Sequence, residues 1–276
     1  MSSLITKAIV PVAGWGTRRL PITKAIEKCM LPIGNRPLID YIVRDCIQAG
    51  ITEIIFVISK GDYQIQKYFA VNKELNDYLV YSGKQDMVPL VTPPGGVMFR
   101  FVEQPTNQKY GTAVPVGLCL PYIAKGESVA VMMGDDFIYN ADGSSELLRL
   151  KEATPEGASS MLAVEVPREE VSRYGVIQFN EMTHAFERIA EKPSVEQAPS
   201  NYINVSKYIL NYSVLQLVKS YTDLNVSGEY LLTEPINQYI MTGGLMQVVP
   251  AKGQYLDGGT LPGWLHANEV VVRGGQ

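Results

Sequence analysis

Histidine is scarce in this chain of 276 residues, which has two, and cysteine and tryptophan are nearly as rare, at three and two. Neither His184 nor His266 has a nucleophile pattern near it, so we interpret both as structural or surface residues. Cys29, Cys46 and Cys119 are widely spaced and odd in number, a pattern that argues against a disulfide framework or a zinc site. The sequence therefore indicates buried thiols in a protein of the reduced cytoplasm.

Several other features are missing as well. No stretch resembles a transmembrane helix or a signal peptide, so we expect no membrane association. The net charge of −4 and the pI near 5.4 argue against a nucleic-acid partner. No internal repeat, heptad run or low-complexity tract occurs. A length of 276 residues with 46% hydrophobic and 19% charged residues is typical of a globular protein, and we expect one domain over residues 1–276.

The most informative stretch covers residues 7–32, KAIVPVAGWGTRRLPITKAIEKCMLP. It starts as a short apolar run that predicts a buried parallel strand, and it then breaks at two glycines. Glycine lets the backbone approach an anion and present its N–H groups, and arginine adds charged donors. Four cations lie within reach of these glycines, and they are Arg18, Arg19, Lys24 and Lys28. The stretch therefore predicts a phosphate-binding loop.

The pattern that follows predicts an α/β fold. Strands are predicted at residues 53–58, 98–102 and 129–133, and helices at residues 37–49 and 63–78. Residues 83–96 are rich in proline and glycine and are predicted to be a loop. Strand, helix and strand joined by short connections form a parallel βαβ unit. We therefore expect a Rossmann-like, three-layer α/β/α fold with a mostly parallel central sheet.

The second part of the chain has a different pattern. Residues 158–210 contain four strand-like runs, MLAVEV, YGVIQF, AFERIAE and NYINVSKYIL, with little helix between them. Helices are predicted at 215–221, at 230–241 and from 261 onward, with a strand at 245–250. We interpret this part as a β-rich second half, residues 141–276, added to a nucleotide-binding half, residues 1–140.

Carboxylates follow two apolar strands that lie far apart in the chain. Asp135 and Asp136 follow the run at 129–133, and Asp257 precedes two glycines. Either aspartate of the pair could simply cap a turn. The carboxyl ends of parallel strands, however, are where α/β sheets bind ligands. Two carboxylates with phosphate oxygens form a usual setting for Mg²⁺, which suggests chemistry at phosphorus.

The glycine segment alone does not identify an activity. It matches neither G-x-x-x-x-G-K-[ST] nor a complete G-x-G-x-x-G, so a P-loop ATPase and a Rossmann dehydrogenase are not supported. A dehydrogenase would also need an acidic residue after its second strand to bind ribose, and here the strand ends with Ser59 and Lys60.

Longer motifs resemble a known family across nearly the whole chain. In order they are VPVAGWGTRRLPITKAIEKCMLP, PLIDYIVRDCIQAGITEIIFVIS, EQ before YGTA, GDD, YGVI, EKP with APSN, GEYLLTEPI and LDGG. Together they resemble the sugar-1-phosphate nucleotidylyltransferases. The segment 69–98 and the APSN motif favour the bacterial branch that forms UDP-glucose over the thymidylyltransferase branch.

The resemblance implies a role for each matching position. Arg18 and Lys28 would be catalytic, stabilising the phosphates. The nucleotide would be bound by Ala13, Gly14, Gly16, Thr17, Gln104 and Gly111. Glucose 1-phosphate would be bound by Gly175, Glu191 and Lys192. The cofactor Mg²⁺ would be bound by Asp135 and Asp257. The partners would be UTP and glucose 1-phosphate, and family members are commonly dimers or tetramers.

The chain departs from the family pattern at three places. Glu27 stands where the family usually has proline, and its charge could weaken phosphate binding at Lys28 or could point outward. Asp136 stands where this branch more often has an apolar residue, and residues 105–110 replace a glycine-lysine-glycine run. Two alternatives therefore stay open: the same reaction with dTTP or another hexose 1-phosphate, and a weakly catalytic relative that binds sugar nucleotides as a regulatory partner.

Overall fold

The computed structural model describes residues 5–106 and 109–275. Its strands are β1 (Lys7–Pro11), β2 (Pro32–Ile33), β3 (Arg36–Pro37), β4 (Glu53–Ser59), β5 (Met98–Gln104), β6 (Val129–Met132), β7 (Asp136–Tyr139), β8 (Ser159–Glu165), β9 (Gly175–Phe179), β10 (Phe186–Glu191), β11 (Tyr202–Leu210), β12 (Met246–Pro250) and β13 (Gln254–Asp257). Its α-helices are α1 (Leu38–Gln48), α2 (Gln64–Tyr68), α3 (Lys73–Tyr81), α4 (Val88–Val91), α5 (Ala113–Leu118), α6 (Glu146–Ala153), α7 (Tyr212–Asp223), α8 (Thr233–Met241) and α9 (Leu261–Arg273).

A nine-stranded mixed sheet forms the centre of the molecule, in the order β10-β9-β11-β6-β1-β4-β5, with β8 beside β11 and β12 beside β8. The strands β6, β1, β4 and β5 are parallel to one another. From β11 onward the pairing is antiparallel, except for the parallel pair of β8 and β12. The expected α/β fold with a parallel centre and a β-rich addition is confirmed.

Both faces of β1, β4 and β6 are buried, as their nearly continuous apolar sequences predict, whereas the edge strand β5 is only partly buried. Along β1, Ala8 and Val10 pack on one face with helices α1, α6 and α9. Ile9 packs on the opposite face with α5, α7 and α8. This alternation produces three layers, with the sheet between two layers of helices. All three cysteines are buried and unpaired, in agreement with the sequence interpretation of their packing.

Helix boundaries differ from the sequence expectations where capping residues intervene. The helix expected at 63–78 is divided into α2 and α3, because the Asn72 side chain accepts a hydrogen bond from Leu75 N and starts a new helix. Helix α7 is longer than expected and is capped in the same way by Asn211. The segment 83–96, expected to be a loop, contains the turn Gln85–Met87 and the short helix α4.

Helix α6 and the strands β7 and β13 are among the elements that were not anticipated from the sequence. Helix α6 begins after Ser145, whose hydroxyl accepts from Leu148 N. Strands β7 and β13 form an antiparallel ribbon in which Asp136 lies opposite Asp257. Over the described residues, no helix combines the length and the apolar character that crossing a membrane requires.

Candidate active site

A cleft of about 800 Å³ opens at the carboxyl ends of β1, β4, β5 and β6. This is the edge at which parallel α/β sheets bind their ligands. The residues of the cleft that the sequence predicted for the site are Ala13, Gly14, Gly16, Thr17, Arg18, Lys28, Gln104, Gly111, Asp135 and Asp257. The cleft is large enough for a nucleotide, since ligand pockets typically enclose about 300–1,000 Å³.

The glycine loop is held in its conformation by neighbouring side chains. Gly16 has a φ of 61°, a left-handed conformation that favours glycine. Its carbonyl accepts a hydrogen bond of 2.9 Å from Thr23 Oγ1. Ser59 Oγ, at the end of β4, donates to the Ala13 carbonyl at 2.9 Å. Two side-chain hydrogen bonds therefore hold the loop after β1 in place where it lines the cleft.

The four cations near the glycines separate into two groups. Arg18 and Lys28 line the cleft, whereas Arg19 and Lys24 are not part of its described wall. Arg19 is buried, donates from Nη1 to the Thr260 carbonyl at 2.9 Å, and places its guanidinium 5.0 Å from the ring centre of Trp264. Of the cations near the glycines, Arg19 therefore holds the loop against α9, while Arg18 and Lys28 line the cleft.

Lys28 and Asp135 form a partly buried ion pair across the cleft, with 2.6 Å between Nζ and Oδ2. Burial acts to raise the pKa of Asp135, but Lys28 and the more distant Lys207 and Arg18 lower it below its usual value. Asp135 is consequently an anion at neutral pH. A carboxylate in this state can bind a cation.

Asp257 lies close to Asp135 and is fixed in orientation. Its Oδ1 accepts from Gly259 N at 2.7 Å, and its Oδ2 accepts from Thr260 Oγ1 at 2.8 Å. A Cβ atom placed on Gly259 would lie 3.0 Å from Asp257 Oδ1 and 3.5 Å from Asp135 Oδ2, so both carboxylates face the same small space.

This donor set fits a magnesium ion bound partly by substrate. The described residues contain no group of three or more acidic, cysteine or histidine side chains that could hold a metal. Mg²⁺ is usually held by one or two carboxylates, with phosphate oxygens and water completing the octahedron. Asp135 and Asp257 provide the two carboxylates.

Asp136 also borders the cleft, but its carboxylate is engaged by two side chains of the protein. It is buried and forms an ion pair with the buried Lys207, and its Oδ2 accepts from Tyr255 Oη at 3.0 Å. Burial raises the pKa of Asp136 to about 6, although Lys207 acts to lower it. These contacts of Asp136 join β7 to β11 and β13 next to Asp135.

Gln104 and Gly111, which the resemblance assigns to nucleotide binding, both line the cleft. Gln104 ends β5, in register with Ser59 of β4. Gly111 has a φ of 117°, and a Cβ atom there would lie 2.5 Å from the Tyr230 carbonyl. Of the segment 105–110, residues 107 and 108 lie outside the described part of the chain.

Gly175, Glu191 and Lys192 lie next to the cleft but do not line its described wall. Gly175 and Glu191 pair across β9 and β10. Lys192 N donates to the Tyr174 carbonyl at 3.0 Å, and Thr233 Oγ1 donates to Glu191 Oε1 at 2.8 Å. The structure thus brings these three residues together at the rim.

Further polar residues of the cleft wall were not singled out from the sequence. They include Ser59, Lys60, Thr106, Lys109, Tyr110, Thr112, Arg173, Asn204, Ser206, Glu229 and Tyr255. Ser59 and Lys60 close β4 at the ligand-binding edge of the sheet, so their position along the strand was a usable signal. Arg173 is brought to the cleft by the fold of the second half, next to Tyr174, which begins the YGVI motif.

Known proteins are similar to this chain in sequence and in fold. The family described as nucleotidyl transferase matches residues 7–273. UTP–glucose-1-phosphate uridylyltransferase of Haemophilus influenzae is 37% identical over 85% of this chain and 82% of its own length. The enzyme of that name from Pseudomonas aeruginosa is 32% identical over 96% of this chain and 95% of its own. A UTP-bound UGPase from Acinetobacter baumannii superposes with a TM-score of 0.85 at 29% identity, covering 97% of this chain and 93% of that structure. With a family match over almost all of its length, the chain belongs to the nucleotidyl transferase family.

Proposed function

We propose that this protein transfers UMP from UTP to glucose 1-phosphate, forming UDP-glucose and releasing pyrophosphate. The observation that carries this proposal is the convergence of Arg18, Lys28, Asp135 and Asp257 in one cleft. The family membership and the printed activities of the relatives support the same reaction.

The reaction needs charge neutralisation more than proton transfer. A phosphate oxygen of glucose 1-phosphate attacks the α-phosphorus of UTP in line, and the bond to the pyrophosphate oxygen breaks. The attacking phosphate is already an anion near neutral pH, so no general base is required. Neither histidine lies in the described wall of the cleft. Like charges about 4 Å apart repel by several kcal/mol at an effective dielectric of about 20.

Arg18 and Lys28 counter this repulsion. Arg18 donates to the triphosphate and to the charge that develops in the transition state, and Lys28 binds the phosphates beside Asp135. Asp135 and Asp257 would hold Mg²⁺, which neutralises phosphate charge when it is bound. The nucleotide lies along Ala13, Gly14, Gly16 and Thr17, and Gln104 and the Gly111 backbone contact the uracil edge.

The rim residues are proposed to bind the sugar phosphate. Glu191 accepts from sugar hydroxyls, Lys192 binds the phosphate, and Gly175 leaves room for the sugar beside Glu191.

We further propose that the chain is one domain whose nucleotide-binding half is 1–140 and whose sugar-phosphate-binding half is 141–276. The pairing of β6 with β11, which joins the two halves in one sheet, supports this. A dimeric or tetrameric assembly and a cytoplasmic location remain predictions.

The test is pyrophosphate release by the purified protein with Mg²⁺ and glucose 1-phosphate, in parallel with UTP, dTTP, CTP, ATP and GTP. We expect release with UTP and loss of release when a chelator is added. Release with dTTP as fast as with UTP would support the thymidylyl alternative. UDP-glucose binding measured by calorimetry, without turnover of any nucleotide or hexose 1-phosphate, would instead support the regulatory relative.

A further inference from the structure

Glu27, beside the cleft residue Lys28, is joined to Gln64 by reciprocal hydrogen bonds. Gln64 N donates to Glu27 Oε1 at 3.0 Å, and Glu27 N donates to Gln64 Oε1 at 3.2 Å. The amide Nε2 of Gln64 also donates to the Ala25 carbonyl at 2.9 Å. We call this set of three hydrogen bonds the 27–64 clasp. It joins the loop that carries Lys28 to the first residue of α2.

The clasp acts on the backbone from which Lys28 projects. Glu27 precedes the single turn Lys28–Met30, and its carbonyl accepts from Met30 N at 2.8 Å. On the other side of the turn the glycine loop lies close, since a Cβ atom on Gly16 would be 3.3 Å from Lys28 Cβ. Lys28 is therefore held between the glycine loop and α2, and its Nζ reaches Asp135 from this position.

The Glu27 carboxylate is engaged within the protein and does not line the described wall of the cleft, whereas Lys28 does. It accepts from Gln64 N, and its Oε2 lies 3.8 Å from Cys29 Sγ. An added negative charge in the cleft would weaken phosphate binding, but this carboxylate is outside the described cleft wall and is used by the clasp.

We propose that Glu27 and Gln64 are positioning residues for Lys28, acting through the clasp on phosphate binding in the proposed uridylyl transfer. The inference rests on that function. Its physical basis is the sensitivity of catalysis to placement, since a shift of about 1 Å in a positioned group can cost about a hundredfold in rate. Neither residue touches substrate in this assignment.

The experiment compares UTP-dependent pyrophosphate release in four variants: Glu27→Ala, Glu27→Gln, Gln64→Ala and Glu74→Ala. Glu27→Ala and Gln64→Ala should each lower kcat/KM by about tenfold to hundredfold. Glu27→Gln retains the oxygen that accepts from Gln64 N, so its kcat/KM should stay within about threefold of the wild-type value. Glu74 is an exposed carboxylate in the first turn of α3, and its loss should change nothing.

A double-mutant cycle separates positioning from general destabilisation. In a Lys28→Ala background, Glu27→Ala should lower kcat/KM by less than about twofold, because the group that the clasp positions is already absent. If Lys28→Ala is too slow to assay, the same cycle is measured as the dissociation constant of UTP with Mg²⁺ by calorimetry. Thermal melting identifies any variant that unfolds, and Gln64→Ala then replaces Glu27→Ala in the cycle.

Two results would overturn the inference: wild-type kcat/KM in both alanine variants, or an undiminished effect of Glu27→Ala in the Lys28→Ala background. Either is interpretable only when the wild-type protein releases pyrophosphate from UTP. Absence of turnover and of UTP binding in the wild type would contradict the proposed function itself, so the two failures are distinguishable.

Discussion

The Lys28 ammonium lies 2.6 Å from the Asp135 carboxylate, although 107 residues separate them in the chain. Lys28 comes from the loop after β1, and Asp135 from the end of the neighbouring strand β6. Their contact places the cation proposed to bind phosphate directly beside a carboxylate proposed to bind Mg²⁺. The arrangement suits a reaction in which two polyanions must meet.

Replacing Asp135 with asparagine should lower the rate of pyrophosphate release at least about a hundredfold, because the anion that would hold Mg²⁺ is lost while the side-chain shape is kept. Asp86→Asn is the matched control, since Asp86 is exposed in the turn Gln85–Met87. Circular dichroism should show both variants folded. Wild-type turnover by Asp135→Asn would remove Asp135 from the proposed metal site.

Arg18→Ala should lower kcat/KM about 100- to 1,000-fold, since the cleft would lose a donor to charge that develops in the transition state. The melting temperature should not change, because the Arg18 side chain is exposed. Lys24→Ala removes a nearby exposed cation outside the described cleft wall and should leave kcat/KM within about twofold. Equal losses of kcat/KM in Arg18→Ala and Lys24→Ala would indicate an effect of net charge and not a specific role of Arg18.

Arg19→Ala should lower the stability of the protein, whereas Arg18→Ala should lower its activity. The hydrogen bond to the Thr260 carbonyl and the stacking on Trp264 would both be lost, lowering the free energy of unfolding by about 1–3 kcal/mol. Urea denaturation measures this change. A free energy within about 0.5 kcal/mol of the wild-type value would show that the contact with α9 contributes little.

Lys207→Met should destabilise the protein by about 3–5 kcal/mol at pH 8, because Asp136 would become a buried and unpaired charge. Burial already raises the pKa of Asp136 to about 6, and removing Lys207 raises it further. A carboxyl whose pKa is higher in the folded than in the unfolded state stabilises the fold at low pH and loses that contribution as pH rises. The destabilisation should therefore be smaller at pH 5 than at pH 8.

Urea unfolding at the two pH values checks this prediction, and the double variant Lys207→Met with Asp136→Asn is its control. Removing both charges should restore part of the lost stability. The destabilisation of the double variant relative to the wild type should then be equal at pH 5 and pH 8. A difference that persists in the double variant would have to come from another titrating group.

The parallel half of the fold could be predicted from local sequence alone. Runs such as residues 53–58 are apolar throughout, and a strand buried on both faces requires that composition. The division between α2 and α3 could not be predicted in this way. It depends on whether the Asn72 side chain accepts the hydrogen bond from Leu75 N and so starts a new helix. Helix α6 was missed although Ser145 and Glu146 are typical of a helix start.

The site shows the same division between local and long-range information. The order of strands along the chain places Gln104 and Asp135 at one edge of a parallel sheet, so their proximity follows from topology. Asp257 is placed at that edge by the antiparallel pairing of β13 with β7, in which it lies opposite Asp136. Ribbon pairing joins residues that are distant in the chain, and no local pattern encodes it.

By itself, the sequence of this protein determined the fold class, the glycine loop and the membership of a family, because each is written in a contiguous pattern of residue types. Tertiary structure alone decided which of two adjacent residues has which function. Arg18 faces the cleft while Arg19 packs on α9, and Asp135 pairs with Lys28 while Asp136 is buried against Lys207. Neighbouring side chains project in different directions from the backbone, and only the surrounding packing determines what each one meets.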